Sequence, residues 1–336
     1  MRPLKQPTLN AVSSQSSNNT STNSSVRFVT VSEDQHGQRV DNFLMSRLKG
    51  VPKSRIYRLL RKGEVRVNKG RVKPETRLNE GDQVRIPPVR VSERPALAGP
   101  GVGLQKLLAD SILYEDERIL VINKPAGLAV HGGSGINLGL IESLRAMRPE
   151  QPFLELVHRL DRDTSGCILL AKKRSALRWL QDQMRHNQVT KVYTALVKGR
   201  WPSDRRRIDV PLRKNEVKSG ERVVRVSPDG KPSITHFTVS RRYSRATLVE
   251  ARLETGRTHQ IRVHSQFANH PLAGDNKYGD EDFNEYVKSV GLERMFLHAS
   301  HLEFQLSQGG ERCRVEAPLP DELAKPLANL ESTSKK

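Results

Sequence analysis

The stretch HRLDRDTSG, His158 to Gly166, sets Arg159 and Arg162 around Asp161 and Asp163, between the apolar runs FLELV and CILLA. Charge held between two segments that bury is either a solvated turn or a carboxylate kept for chemistry. Two carboxylates at i,i+2 could form a glycosidase pair, since on a strand they share a face roughly 7 Å apart. The flanking guanidiniums argue against that scheme. They favour ionisation of both acids, whereas a glycosidase general acid needs a raised pKa. A carboxylate that must stay anionic fits better, as a nucleophile or as a stabiliser of charge. For Asp163 the DTSG context suits an Asx or Ser/Thr turn with nearby backbone N–H groups. Asp161 is therefore the stronger candidate for chemistry.

Two other stretches carry reactive types. ETGRTHQIRVH, 254–264, ends an alternating strand, turns at Gly256 and carries Arg257, His259 and Arg262. A guanidinium brought from here to Asp161 would hold it by a bidentate contact. In KVYTALVKG, 191–199, Tyr193 lies between Val192 and Thr194 in a strand-like run and can face inward. It reads equally as a core tyrosine or as a ring that stacks on a flipped base.

Other patterns fail. DGKPS at 229–233 would need glycine at position 225 for a phosphate loop, and Arg225 stands there. His259, His264, His298 and His301 lack zinc spacing and read as structural histidines. Cys167 and Cys313 are far apart and form no CxxC pair. The HxE and PCxxC pattern of nucleobase deaminases is missing. HGGSG, from His131, reads as a tight turn that could line a pocket.

The elements that must position these residues divide the chain. Its 336 residues, 35% hydrophobic, suffice for one large and one small domain. No 18-residue apolar run and no apolar leader is found, so neither a membrane span nor a secretory signal is expected. Two separate cysteines fit a reducing, cytoplasmic setting. A net charge of +20 points to a polyanion, with nucleic acid as the leading partner.

The polar run SSQSSNNTSTNSS predicts a disordered tail over 1–25. Residues 26–90 hold a compact basic unit, α-α-β in pattern. Val40, Phe43, Leu44 and Leu48 recur at helical spacing, as do Ile56, Leu59 and Leu60. Ser54 is the expected cap of the second helix and Gly63 its stop. Residues 39–90 contain 15 Lys/Arg against 5 Asp/Glu, half of the chain's excess positive charge. Arg55, Arg58, Arg61 and Lys62 fall on one broad side of the second helix, which has no acid to pair with them. Such a surface can track a phosphate backbone. Residues 91–108, rich in Pro, Gly and Ala, read as a linker, and 109–330 as a large α+β domain. Alternating runs there favour a mostly antiparallel sheet with one buried face.

The basic unit resembles the S4 RNA-binding domain, through RVDNFL at 39–44, PKSRIYRLLRKGEVRVNKGRVKP at 52–74 and GDQVRIP at 81–87. That resemblance implies RNA contact through Lys53, Arg55, Arg58, Arg61, Lys62, Arg66 and Lys69. Further along, HRLDRDTSG resembles the signature of the RluA family of pseudouridine synthases. NKPAGLAVHGG at 123–133, KVYTALVKG, TGRTHQIRVH and HPLAGDNKYG at 270–279 match its other blocks in order.

The family resemblance implies a mostly antiparallel mixed-sheet catalytic domain that isomerises uridines of large-subunit (23S) rRNA without metal or cofactor. It casts Asp161 as nucleophile, Tyr193 as the ring against the base and Arg262 as partner of Asp161. Arg159 would fill the gap left by the flipped base, and Lys124 and His131 would line the cleft. A monomer is the default. Two other classes stay open: a catalytically silent RNA-binding protein, and a nucleosidase using the same carboxylate.

Overall fold

A computed structural model describes residues 25–48, 50–89, 99–132, 138–216 and 222–334. The tail expected over 1–25 falls outside these residues except at Ser25, as do residues 91–98 of the linker expected over 91–108. The chain divides into two compact units, residues 1–96 and 97–336.

In the first unit, strand β1 (Arg27–Thr30) precedes helices α1 (Val40–Arg47) and α2 (Lys53–Lys62). Strands β2 (Arg66–Val67), β3 (Gly70–Arg71) and β4 (Gln83–Ile86) follow. The sheet order is β1-β4-β2-β3. Val40, Phe43 and Leu44 of α1 and Ile56, Leu59 and Leu60 of α2 are buried together against Val65, Val84 and Ile86. Each such side chain contributes about 1.5–3 kcal/mol on burial. Helix α2 starts at Lys53 after Pro52, one residue before the expected cap at Ser54. Proline suits that place, because an N–H there has no helical acceptor. The helix stops at Gly63, whose φ of +67° lets Glu64 N donate to Leu59 O at 3.0 Å and Gly63 N to Leu60 O at 3.0 Å. Lys53, Arg58, Arg61, Lys62 and Lys69 are exposed, while Arg55 and Arg66 are half-buried. Arg66 turns back, its Nε donating to Gly63 O at 2.7 Å.

The second unit opens with α3 (Val102–Asp110), β5 (Ile112–Glu115), β6 (Ile119–Lys124), α4 (Leu140–Met147) and β7 (Glu155–Leu156). Next come β8 (Ser165–Ala171), α5 (Arg174–Arg185), β9 (Thr190–Lys198), β10 (Arg205–Asp209), β11 (Leu212–Glu216) and β12 (Arg222–Val226). The last are β13 (Ile234–Arg242), β14 (Ala246–Leu253), α6 (Gln260–Phe267), α7 (Glu281–Ser289), β15 (Leu297–Gln305), β16 (Arg312–Glu316) and α8 (Asp321–Ser334). Ten strands make one sheet, ordered β10-β13-β14-β9-β15-β8-β6-β5, with β16 on β15 and β7 on β8. All its pairs are antiparallel except β15 with β8.

Two features differ from the sequence expectation. The composition of 91–108 predicts a linker, yet α3 begins at Val102 and buries Leu108 in the main core. Leu104 and Leu108, four apart, give that segment a helical face. The sheet is also buried on both faces at its centre, not one. Every residue of β8 is buried. Ile168 and Leu170 join the core with Leu140, Ile141 and Leu144 of α4, while Cys167, Leu169 and Ala171 join the opposite core with Ala176 and Leu180 of α5. The continuous run GCILLA, rather than the alternating strands, carries that signal.

Strand β8 begins beside Ala299 of β15, and Gly166 makes the approach possible. Its φ is +107°, and a Cβ there would lie 2.2 Å from Ala299 O. Gly166→Ala is expected to lower stability by about 3 kcal/mol, from left-handed strain and overpacking together. An unchanged denaturant midpoint for this variant would refute the close approach.

Candidate active site

Asp161 does not sit on a strand. It lies in the loop between β7 and β8, so it and Asp163 share no strand face. Thr164 N donates to Asp161 O at 3.2 Å and closes the turn. Among the described residues no backbone N–H donates to the Asp163 carboxylate; it pairs with Arg162, whose Nε lies 2.9 Å away. Arg162 therefore faces Asp163, and the guanidinium that meets Asp161 comes from elsewhere.

The loop is suspended from two cations. Lys124, at the end of β6, is fully buried and donates from Nζ to Pro125 O at 2.8 Å, Leu128 O at 2.9 Å and Arg162 O at 2.9 Å. Burial pushes its ammonium down to about 7. Arg294, just before β15, donates to Asp163 O at 3.3 Å and to Ser165 Oγ at 2.7 Å. Ser165 in turn meets His298 Nδ1 at 2.9 Å. Successive carbonyls of the Asp161 loop are thus each held by a buried or half-buried cation.

Across from the loop, the turn after β14 leads into α6. Gln260 fixes that turn: its Oε1 accepts from Thr255 Oγ1 at 2.8 Å and Arg257 N at 3.0 Å, and its Nε2 donates to Ile234 O at 2.9 Å. Arg262, in the first turn of α6, points its fork at two carboxylates. Nε and NH2 donate to Asp275 at 2.7 and 2.8 Å, and NH1 donates to Asp161 Oδ2 at 3.3 Å. Burial works against its charge, but Asp275 and Asp161 raise its pKa above the ordinary value. Asp275 is wholly buried, which alone would push its carboxyl up. Arg262 and the N–H groups of Lys277 and Tyr278, at 2.9 and 3.1 Å, hold it below the usual range instead. The Arg262 guanidinium also lies 5.0 Å over the Tyr278 ring.

His259 completes this side. Its backbone is left-handed, φ +52°, which costs about 1–2 kcal/mol for an L residue. Its Nδ1 is 2.8 Å from Tyr278 Oη, and its Nε2 is 3.8 Å from Asp161 Oδ2. Burial lowers its pKa, opposed by Asp161 and Asp275 and helped by Arg262 and Lys277.

Between the two walls lies a small cleft, open to solvent. Asp161, Arg262, His259, Tyr193 and Arg159 all line it, with Leu160, Leu253 and Leu297 as apolar wall. Tyr193 projects from β9 into the main core, and burial pushes its phenol up. Arg159 is exposed at the cleft. Lys124 and His131 stand apart from the cleft lining. The three donors of Lys124 are taken by carbonyls, and His131 is exposed beside residues 133–137, which lie outside those described. Asp275 and Tyr278 carry no role in the sequence reading, although they fall within the quoted block HPLAGDNKYG. Among the described residues no cluster of His, Cys, Asp and Glu could hold a metal.

A carboxylate paired with one arginine thus stands beside an apolar wall, one tyrosine ring and an exposed second arginine. The RNA pseudouridylate synthase family profile matches residues 118–267, and the S4 domain profile matches residues 38–84. The chain belongs to the RNA pseudouridylate synthase family, and is an RNA-modifying isomerase carrying an S4 domain. It is 58% identical over 309 residues to the ribosomal large subunit pseudouridine synthase C of Escherichia coli strain K12, covering 91% of this chain and 97% of that one. Its identity to the protein of the same name from Pasteurella multocida is 57% over 310 residues, 92% of this chain and 95% of that one. Among solved structures, human RNA pseudouridylate synthase domain containing 4 superposes with a TM-score of 0.57 at 29% identity, covering 68% of this chain and 96% of that one.

Proposed function

We propose that the protein converts uridines of large-subunit rRNA to pseudouridine, with Asp161 as the nucleophile. The observation that carries this reading is the convergence of Asp161, Arg262 and Tyr193 on one cleft. The names of the relatives support the choice of RNA. In this scheme a uridine swings out of its stack into the cleft, and Tyr193 offers its ring to the base. Arg262 holds the Asp161 carboxylate in register with the sugar. The C1′–N1 bond breaks, the uracil rotates, and C5 bonds to C1′. The C5 proton is lost and N1 gains one, so the reaction is an isomerisation with no co-reactant. Arg159 occupies the place of the extruded base, where a cation among phosphates offsets part of the few kcal/mol of unstacking.

The test is direct. Uridine-labelled, unmodified large-subunit rRNA is incubated with the protein and digested to nucleosides. Pseudouridine is expected. Free uracil would mean a nucleosidase, and unchanged RNA a silent binder.

The S4 unit holds the RNA backbone in this scheme. Replacing Arg58, Arg61 and Lys62 by Ala removes three exposed charges from one helix. The log–log salt slope of rRNA binding is then expected to fall by about 2 to 3, while the rate on saturating RNA stays put. An unchanged slope would exclude this face.

A further inference from the structure

His259 has no task in the scheme above. His259 lines the cleft, yet its Nε2 lies 3.8 Å from Asp161, too far for a hydrogen bond. Its proton can be located from its neighbours. Val224 N–H can only donate, and it donates to Tyr278 Oη at 2.9 Å. The phenol's single proton then has His259 Nδ1, at 2.8 Å, as its acceptor among the described residues. The reverse tautomer would leave that buried phenol proton unpaired, so the arrangement favours Nδ1 as the bare nitrogen and Nε2 as the one that carries the hydrogen. Tyr278 is itself fixed: it is buried, its N–H bonds Asp275, and its ring lies under Arg262. The imidazole thus has its tautomer set from behind and holds an uncommitted N–H toward the carboxylate.

We infer that His259 is a catalytic hydrogen-bond donor to the uracil ring, its Nε2–H meeting a carbonyl oxygen of the flipped base. The inference rests on the function proposed above. When C1′–N1 breaks, the electron pair stays with the ring and spreads over N1 and the carbonyl oxygens. A neutral, pre-aimed N–H strengthens its bond to that oxygen as charge develops, and no proton leaves the histidine. Arg262 is less free for this task, because its Nε, NH1 and NH2 already face Asp275 and Asp161. The left-handed backbone of His259 marks the same point: a strained residue at the head of α6 aims its ring into the cleft.

The experiment is a single-turnover assay on saturating rRNA with His259→Asn and His259→Gln. Asparagine tolerates left-handed backbone but is too short to reach the base; glutamine restores a distant N–H donor. The expected rate falls about 100-fold for Asn, recovers to within about tenfold of wild type for Gln, and RNA affinity stays within about twofold for both. Nitrogen-15 NMR of histidine-labelled protein should show His259 with its proton on Nε2, and Tyr278→Phe should mix the tautomers. A wild-type rate in His259→Asn, a loss confined to affinity, or a proton on Nδ1 would overturn the inference. A wild-type protein that makes no pseudouridine overturns the function instead, whatever the tautomer.

Discussion

Asp161→Asn should abolish pseudouridine formation, by about 10⁴-fold or more, while leaving a folded protein that still binds rRNA. The two halves of that expectation have separate grounds. The carboxylate can bond carbon covalently and leave again, and an amide cannot replace it. The fold is spared because Arg262 keeps its two bonds to Asp275 when Asp161 is neutralised. Asp161 is also partly open, its side chain 20% exposed, so its loss orphans little. Melting temperature and RNA affinity near the wild type, with no product, is the expected pattern. Product at the wild-type rate would remove Asp161 from the role of nucleophile.

Asp275→Asn should show the opposite balance. Its carboxylate is shut from solvent and accepts four hydrogen bonds, two from Arg262 and two from backbone N–H groups. Replacing it leaves a largely buried guanidinium facing a neutral amide, with Asp161 at 3.3 Å as its one carboxylate partner among the described residues. Breaking such a pair costs about 3 kcal/mol, which lowers the melting temperature by about 10 °C in a domain of this size. Catalysis should also fall, because Arg262 is then free to turn away from its aim at Asp161. The effect has a pH signature. The folded carboxyl titrates below its usual value of 3.8. Its contribution is therefore complete above the unfolded value and disappears as pH falls through the lower, folded one. The gap in stability between wild type and variant should be full at pH 6 and close steadily below about pH 4. A gap that is constant from pH 6 to pH 3 would rule out Asp275 as an ionised partner.

Comparing these two aspartates shows what a linear reading reaches. Asp161 is legible because two arginines flank it between apolar runs, a placement that few neutral explanations fit. Arg262 is legible as a candidate partner by type, though nothing in RTHQIRVH reveals that it sits in the first turn of a helix. Asp275 is not legible from its own surroundings. It stands among Gly, Asn and Lys, which read as a solvated loop, and its burial becomes tolerable through the incoming arginine and the turn's own N–H groups. Lys124 departs from expectation too. The resemblance places it on the cleft, whereas three main-chain carbonyls keep it inside. The antiparallel order follows from the alternating strands. The second covered face of the central strands depends on helices whose docking no local pattern states.

The suspension of the Asp161 loop bears on how such a chain can vary. Lys124 and Arg294 grip main-chain oxygens of residues 162 and 163, not their side chains. Oxygens of the backbone are the same whatever residue carries them. The side chains of Arg162 and Asp163 are thereby released from the job of shaping the turn, and mutational drift at those two places can proceed while the working carboxylate keeps its coordinates. The immutable part of the loop is then set by residues 124 and 294, each more than thirty positions away in the chain.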